Sequence, residues 1–222
     1  MKYKCLVLDH DDTIVESTGT VHFPCFVEYL REYRPHLADK YTLEDYLVKN
    51  FDPGVISFFC DEVGMSREEL KFEEQYWASY VKQHIPTAYA GIGELMSKFK
   101  GMGGIIAIDS HSLRENIERD LAANRLPAPD VIYSWDLPEE QRKPSPYTVL
   151  DLMKRYGLDR SEVLVVDDLK PGFDMARGAG VDFAAAGWAY DVPEIEAFMR
   201  RHCDYYLPSV ADLSKILFDT DI

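Results

Sequence analysis

The sequence has 222 residues, of which 46% are hydrophobic and 13% aromatic, enough for one large domain or a core carrying a smaller inserted domain. Its formal net charge is −15 and it has no basic block, which excludes a general polyanion binder because affinity for phosphate backbones comes from clustered Lys and Arg. No apolar run approaches the ~20 residues of a membrane span, and Met1–Lys4 leads directly into an apolar strand without a signal-peptide pattern. We therefore expect a soluble, cytoplasmic protein without nucleic-acid or membrane partners.

The cysteines favour a reducing compartment. They are widely scattered, with no CxxC pair and no Cys/His cluster, so we expect free thiols rather than disulfides or a zinc site. The four positions are Cys5, Cys25, Cys60 and Cys203.

The first predicted element is a buried strand over Cys5–Leu8, followed directly by an acidic loop. Asp9, Asp11 and Asp12 place three carboxylates within four positions of the strand end. Buried carboxylates repel one another and lose solvation, so a fold tolerates them where a cation offsets their charge. The alternative for this stretch alone is a polar turn after a strand.

Residues 17–86 change to helical character. Phe23, Phe26 and Leu30 follow helical spacing, and a capping box of Ser66 with Glu69 predicts a helix continuing to Val81. No alternating strand pattern occurs in this stretch, so it predicts a helical module inserted after the first strand.

The remaining chain alternates strands with helices. Residues 86–93 are interpreted as the return hinge. Strands are predicted at 105–108, 131–133, 163–166, 183–186 and 205–207, and helices at 92–100, 116–122, 146–157, 172–179 and 211–218. Two further caps are predicted, Ser112 with Glu115 and Ser145 before Pro146. This alternation predicts an α/β fold, a doubly wound parallel sheet with a smaller all-helical insertion.

Reactive side chains follow the predicted strands. In an open α/β sheet such groups gather at the carboxyl ends of the strands. The candidate residues are Asp9, Asp11, Ser110, Lys143, Asp167 and Asp168.

Four sequence motifs carry these residues in order: KCLVLDHDDTIV, IIAIDSHS, KPSP and LVVDDLKPGFDMARGAGV. This set resembles the four motifs of the haloacid-dehalogenase-like (HAD) hydrolase superfamily, in its phosphoglycolate-phosphatase and beta-phosphoglucomutase-like branch. The resemblance implies a Rossmann-like HAD core formed by residues 1–16 and 87–222. It also implies that residues 17–86 form an alpha-helical C1 cap.

By resemblance, Asp9 is the nucleophile and forms an aspartyl-phosphate. Asp11 is the general acid for the leaving alcohol and then the base for the attacking water. Ser110 hydrogen-bonds a phosphoryl oxygen, and Lys143 contacts both the phosphoryl group and Asp9.

The same resemblance implies a Mg²⁺ cofactor. Mg²⁺ prefers oxygen ligands, and its expected ligands are Asp9, the backbone carbonyl of Asp11, and Asp168. Asp167 is expected to help, directly or through water.

Several positions depart from the family pattern. Asp12 stands where these phosphatases usually have Gly, and we expect Asp to tolerate the left-handed backbone that such a loop requires. His10 and Asp109 stand where apolar residues are common. For Asp109 we expect a strand-end group facing solvent, with a hydrogen bond inside the site as the alternative. Gly172 stands where some relatives carry a further acid, and the Asp167–Asp168 pair is interpreted as the alternative form.

The favoured function is Mg²⁺-dependent hydrolysis of a small phosphorylated metabolite, whose identity the sequence leaves open. A phosphosugar mutase on the same scaffold is one alternative, and a non-catalytic regulatory or binding protein is another. A haloacid dehalogenase is disfavoured by Asp11, because that chemistry has no leaving alcohol to protonate. Within the insertion, His22, Lys49 and Asn50 are candidates for selecting the leaving group, although a solvated face is the favoured interpretation of each.

Overall fold

The computed structural model describes residues 2–218. The described chain separates into two compact units, one of residues 2–16 with 87–218 and one of residues 17–86. The strands are β1 (Cys5–Leu8), β2 (Val15–Glu16), β3 (Thr87–Ala88), β4 (Ile105–Asp109), β5 (Val131–Tyr133), β6 (Val163–Asp167), β7 (Asp182–Ala186) and β8 (Tyr205–Leu207). The helices are α1 (Phe23–Tyr33), α2 (Leu43–Phe51), α3 (Val55–Ser57), α4 (Arg67–Val81), α5 (Ile92–Gly101), α6 (Arg114–Ala123), α7 (Tyr147–Tyr156), α8 (Lys170–Ala179), α9 (Pro193–His202) and α10 (Val210–Phe218).

The first unit is built on a six-stranded sheet in the order β5-β4-β1-β6-β7-β8, with every neighbouring pair parallel. Helices connect successive strands of this sheet, so the predicted α/β fold is confirmed. In the register of the central strands, Leu8 lies beside Ile108 on one side and Val166 on the other. The residues that follow them therefore meet at the carboxyl edge of the sheet.

The sheet is apolar on both faces. Leu6 and Leu8 of β1 pack into a core cluster together with residues of α5, α6 and α10. Val7 points to the opposite face and is also buried. A parallel sheet covered on both faces requires strands that are apolar throughout, and this explains why β1 is a continuous apolar run rather than an alternating one.

Two helix starts differ from the predicted caps. Leu113, not Ser112, is the N-cap residue of α6, and Pro146, rather than Ser145, occupies that position before α7. The helix ends were predicted better, because Gly157 (φ 65°) and Gly180 (φ 74°) close α7 and α8 in the left-handed conformation.

A short antiparallel ribbon was missed by the sequence prediction. Val15 pairs with Ala88 and Glu16 with Thr87, so β2 and β3 lie side by side where the chain leaves and re-enters the first unit. Residues 86–93, interpreted above as a hinge, thus contain β3 and the beginning of α5.

The second unit contains α1–α4 and its own aromatic core. Phe26 packs against Tyr46, Phe58 and Phe59, with ring centroids 5.1–5.6 Å apart. The Ser66 Oγ atom accepts a hydrogen bond from the Glu69 backbone N–H, as predicted for the start of α4. Within residues 2–218, no helix combines the length and apolar character that a bilayer crossing requires.

Candidate active site

The acidic loop begins where β1 ends. The Asp9 backbone N–H continues the ladder by donating to the Val166 carbonyl at 2.9 Å, and the chain then turns sharply. The His10 carbonyl accepts from the backbone N–H groups of Ile14 and Val15, at 3.0 and 3.1 Å. Asp12 has φ 56°, so the predicted left-handed backbone at this position is confirmed.

A buried lysine joins two of the carboxylates. The Lys143 Nζ atom lies 2.6 Å from Asp9 Oδ1 and 2.7 Å from Asp167 Oδ2, and all three side chains are at most 8% exposed. Burial alone lowers the pKa of Lys143, but Asp167 and Asp9 outweigh it and hold that pKa well above its usual value. Lys143 is therefore a fixed cation. Burial raises the pKa of Asp9, and the positive charge of Lys143 opposes this shift.

Asp168 lies beside this group and is held by hydroxyl donors. Tyr190 donates to Asp168 Oδ2 at 3.0 Å, with the Asp168 carbonyl 3.1 Å away, and Thr13 Oγ1 donates to Oδ1 at 3.4 Å. Burial raises the pKa of Asp168, and the neighbouring charges of Asp167 and Asp9 raise it further.

Carboxylate oxygens of Asp9, Asp167 and Asp168 lie within 4.8 Å of one another. Three buried carboxylates face one ammonium group, so a further positive charge is needed if all of them are ionised. Oxygen donors at this spacing fit a hard divalent cation such as Mg²⁺. The residues present therefore fit the cation that the fold family implies.

Asp11 and the loop after β4 form the other side of the site. The Ser112 hydroxyl donates to Asp11 Oδ2 at 2.6 Å, whereas the Ser110 hydroxyl is 3.5 Å from the same oxygen. The Ser112 backbone N–H donates to Ser110 Oγ at 3.0 Å. The prediction that Ser112 caps α6 is thus wrong, because its side chain bonds to Asp11 across the site.

His111 connects the same loop to the backbone of Lys143. Its Nε2–H donates to the Lys143 carbonyl at 3.0 Å, and its ring meets Trp135 edge-on at 5.5 Å. The Arg142 guanidinium lies 4.0 Å from the Trp135 ring centroid. Burial lowers the pKa of His111 to about 4, with the nearby Lys143 charge adding to the effect. His111 is therefore neutral at pH 7 and orients the backbone that carries Lys143.

The expectation that Asp109 faces solvent is wrong. Its side chain is only 3% exposed and accepts a hydrogen bond from Thr148 Oγ1. Burial raises the pKa of Asp109 to about 6, an effect that the nearby charge of Lys143 opposes. The reason for the error is topological: β4 is flanked by strands on both sides, and α7 carries Thr148 to its carboxyl end. Asp109 does form a hydrogen bond, but its partner Thr148 belongs to α7 and is not one of the candidate site residues.

His10 and Gly172 are explained by packing. The His10 ring is completely buried, and its Nε2 lies 3.1 Å from Asp120 Oδ2, which joins the acidic loop to α6. A Cβ atom on Gly172 would lie 2.2 Å from Asp167 Oδ2. A further acid at position 172 would therefore collide with the Asp167 carboxylate in its present place.

The structure thus brings Asp9, Lys143, Asp167 and Asp168 together, and Ser110 and Asp11 into contact with each other. Sequence reasoning missed Tyr190, Thr13, Ser112 and His111 as their partners. A signal for Tyr190 was available, since β7 ends at Ala186 and residues after a strand of this sheet lie at its carboxyl edge.

The three candidates in the insertion all have partners inside the second unit. The Trp77 indole N–H donates to His22 Nδ1 at 3.0 Å, and Lys49 pairs with Glu62 at 2.7 Å. The Asn50 amide donates to the Tyr46 carbonyl at 2.7 Å. The polar groups of these three side chains are therefore hydrogen-bonded or ion-paired within the second unit.

Several solved structures have the same fold as this chain. A protein from Bacteroides fragilis, described as a haloacid dehalogenase-like hydrolase, matches with TM-score 0.78 and 21% identity, covering 96% of this chain and 100% of its own. A predicted phosphoglycolate phosphatase from Haemophilus somnus matches with TM-score 0.75 and 19% identity, over 97% and 98% of the two chains. A HAD family hydrolase from Deinococcus radiodurans with bound phosphate and sodium matches with TM-score 0.69 and 20% identity, over 97% and 95%.

A search of curated proteins found no match. The profile of the family described as haloacid dehalogenase-like hydrolase, by contrast, matches residues 6–186, which is most of the chain. This span includes the first motif from Leu6 onward, the other three motifs complete, and the whole of the second unit. The resemblance drawn from the motifs is confirmed, and the chain belongs to the haloacid dehalogenase-like hydrolase family.

Proposed function

We propose that this protein is a Mg²⁺-dependent phosphatase that hydrolyses a small phosphorylated metabolite through an aspartyl-phosphate intermediate. The observation that carries the proposal is the buried contact of Lys143 with Asp9, beside the two carboxylates of Asp167 and Asp168. Phosphoryl transfer requires a positioned nucleophile and positive charge around the transferred oxygens, and this arrangement supplies both.

In the first step, a carboxylate oxygen of Asp9 forms a bond to phosphorus as the bond from phosphorus to the leaving alkoxide breaks. Asp11 gives its proton to that alkoxide. The Ser110 hydroxyl and the Lys143 ammonium group bind phosphoryl oxygens, and Lys143 also holds Asp9 in place.

In the second step, water attacks the phosphorus of the aspartyl-phosphate. Asp11, now ionised, accepts a proton from this water, and Asp9 is regenerated as inorganic phosphate leaves. The Ser112 hydroxyl orients Asp11 for both steps through its bond of 2.6 Å to Oδ2.

Asp9, Asp168 and the Asp11 carbonyl would hold Mg²⁺, with Asp167 directly or through water. The cation, when bound, would neutralise charge on the phosphoryl oxygens. Asp167 already accepts from the Leu169 backbone N–H at 2.8 Å and from Lys143, so its orientation is fixed by the protein.

Two further features support the substrate class. The Haemophilus relative is described as a predicted phosphoglycolate phosphatase, and the Deinococcus relative carries phosphate.

We extend the proposal to the second unit: residues 17–86 act as the cap that selects the leaving group and excludes water. The four free cysteines fit a cytoplasmic location, which is also part of the proposal.

The test is hydrolysis of p-nitrophenyl phosphate and of a panel of phosphorylated metabolites, with and without Mg²⁺. We expect Mg²⁺-dependent phosphate release by the wild type and a loss of at least ~10³-fold in Asp9→Asn, because the amide is not a nucleophile. Asp182→Asn, a surface carboxylate at the opposite end of the sheet from the site, serves as the control and should keep the wild-type rate. The proposal fails if a folded wild type is inactive across the panel, or if Asp9→Asn retains full activity.

The same panel separates a hydrolase from a mutase. A phosphosugar mutase would interconvert hexose phosphates and release little inorganic phosphate, whereas we expect stoichiometric release. Measuring phosphate and sugar isomers in one reaction distinguishes the two outcomes.

A further inference from the structure

The loop after β7 reaches back to the acidic site at two points. The Trp188 indole N–H donates to the Thr13 carbonyl at 3.3 Å. Two residues later, the Tyr190 hydroxyl lies 3.0 Å from Asp168 Oδ2 and 3.1 Å from the Asp168 carbonyl. The loop of residues 187–190 therefore joins the segment after β1 to the segment after β6, although none of the four motifs includes it.

This loop is itself anchored. The Tyr89 hydroxyl donates to the Ala189 carbonyl at 3.4 Å. A Cβ atom on Gly187 would lie 2.4 Å from the ring of Tyr206, so a side chain there would displace either the ring or the loop. These contacts restrict where the Tyr190 hydroxyl can lie.

A hydrogen bond to one oxygen of a carboxylate fixes the plane of that carboxylate and the direction of its remaining lone pairs. Partners of this kind, behind the ligands of a metal ion, commonly change metal affinity 10- to 100-fold when removed. Asp168 offers one oxygen to the cluster shared with Asp9 and Asp167, and its only other side-chain donor among residues 2–218, Thr13, is at 3.4 Å.

We propose that Tyr190, held in place by the Trp188 anchor, is a positioning residue that orients Asp168 for the divalent cation and thereby sets the cation affinity. This inference rests on the proposed function, since it takes Asp168 as a cation ligand. Tyr190 acts through Asp168 and has no part in the transfer of the phosphoryl group.

The experiment measures Mg²⁺ binding directly, by titration calorimetry of the full chain without substrate, in parallel with p-nitrophenyl phosphate hydrolysis. Tyr190→Phe removes only the hydroxyl group. We expect the Mg²⁺ dissociation constant to rise about 10-fold or more. At saturating Mg²⁺ we expect kcat to remain within about 3-fold of the wild type, because the catalytic groups are intact. A role limited to stability would lower the melting temperature without moving the dissociation constant.

Tyr206→Phe is the matched control. It is the same chemical change in a neighbouring tyrosine that lines the same small cavity beside Asp168. The Tyr206 hydroxyl forms no hydrogen bond to another residue of the described range 2–218, so Mg²⁺ affinity should be unchanged in this variant.

The proposal is overturned if folded Tyr190→Phe binds Mg²⁺ as tightly as the wild type. Should that variant not fold, Trp188→Phe provides the second test, because it removes the indole hydrogen bond to the Thr13 carbonyl. An unchanged Mg²⁺ dissociation constant in folded Trp188→Phe would also overturn the proposal. Failure of the proposed function has a different signature, namely a wild type that neither binds Mg²⁺ nor releases phosphate.

Discussion

At the scale of single residues, the site depends on one buried cation between two carboxylates. Desolvating Lys143 is costly, and the cost is offset only because Asp9 and Asp167 lie within 2.7 Å of its ammonium group. Lys143 thus positions the proposed nucleophile before any substrate binds.

Replacing Lys143 should therefore damage catalysis more than removing an ordinary surface charge does. For Lys143→Met we expect kcat at saturating Mg²⁺ to fall about 10²- to 10³-fold, the loss typical of removing one electrostatic stabiliser of a transition state. The measurement is steady-state hydrolysis of p-nitrophenyl phosphate, with circular dichroism to verify folding.

The control for this prediction is Lys100→Met. Lys100 pairs with Asp130 at 2.9 Å, but on the surface, where an ion pair contributes about 0–1 kcal/mol. The Lys100→Met variant should therefore retain the wild-type rate of hydrolysis. Comparable rates in Lys143→Met and Lys100→Met would contradict the role given to Lys143.

The residues that could be predicted from sequence are those whose position in the chain fixes their position in space. Asp9 directly follows β1, and Asp167 is the last residue of β6. The parallel pairing of these two strands alone brings them together. For Tyr190, the sequence indicates a position near the carboxyl edge of the sheet, after β7, but not the bond to Asp168, because that contact depends on how a loop folds back. Asp109 was predicted wrongly, since sequence does not show that α7 delivers Thr148 to it.

At the scale of secondary structure elements, α4 contains a buried acid. Glu73 is 7% exposed, and burial raises its pKa to about 7, an effect strengthened by Glu74 and opposed by His22. Helix α4 must therefore either bury a charge or hold a proton on this carboxyl group. The second unit should consequently respond to pH in the neutral range.

The unfolded carboxyl ionises near pH 4.5, whereas the folded one does so near pH 7. The stabilisation that comes from protonated Glu73 is complete below about pH 4.5 and is lost as the pH rises through about 7. Glu73→Gln imitates the protonated side chain at every pH. Its advantage over the wild type in free energy of unfolding should grow from near zero at low pH to about 3 kcal/mol above neutrality.

Urea unfolding followed by circular dichroism at several pH values measures this difference. The control is Glu68→Gln, because Glu68 is exposed on the same helix. Its free energy of unfolding should follow the same pH dependence as that of the wild type. A pH-independent difference between Glu73→Gln and wild type would show that the carboxyl group does not titrate on folding in this range.

Most of the longer elements, though not the ten-residue helix α9 (Pro193–His202), were predicted from sequence, since apolar periodicity and Gly or Pro signals accumulate over several residues. The ribbon of β2 and β3 was not, because two-residue strands carry no periodicity. The starts of α6 and α7 were displaced, because a Ser before a helix can use its hydroxyl group elsewhere, as Ser112 does with Asp11.

At the scale of the whole molecule, the parallel sheet concentrates negative charge at one edge. The chain has a formal net charge of −15, and three buried carboxylates share one small region of that edge. A divalent cation that binds the folded state alone would relieve this repulsion and stabilise the molecule by linkage.

Mg²⁺ should therefore raise the melting temperature. At 100 times its dissociation constant we expect about 2.7 kcal/mol of added stability, or about 5–10 °C for a chain of this size. Differential scanning calorimetry with Mg²⁺ and with KCl at equal ionic strength separates specific binding from general screening. Asp168→Asn should lose most of the Mg²⁺ effect, and an equal rise in that variant would place the cation elsewhere.

The overall fold was predictable because the order of strands and helices, with right-handed crossovers, leaves few topologies. What sequence could not supply was the set of contacts between segments far apart in the chain, such as the bond from the loop of residues 187–190 to Asp168.

The β2/β3 ribbon has a consequence for the evolution of the chain. Glu16 and Thr87 are paired neighbours in the ribbon. The seventy residues between them therefore join two adjacent strands, as the connection of an ordinary β-hairpin does. A hairpin connection can lengthen, shorten or be exchanged without altering strand order, because loop-closure entropy grows only slowly with length. Under the proposed role of residues 17–86 as the cap, new substrate preferences would arise by replacing this one continuous segment, while the residues at the sheet edge stay the same.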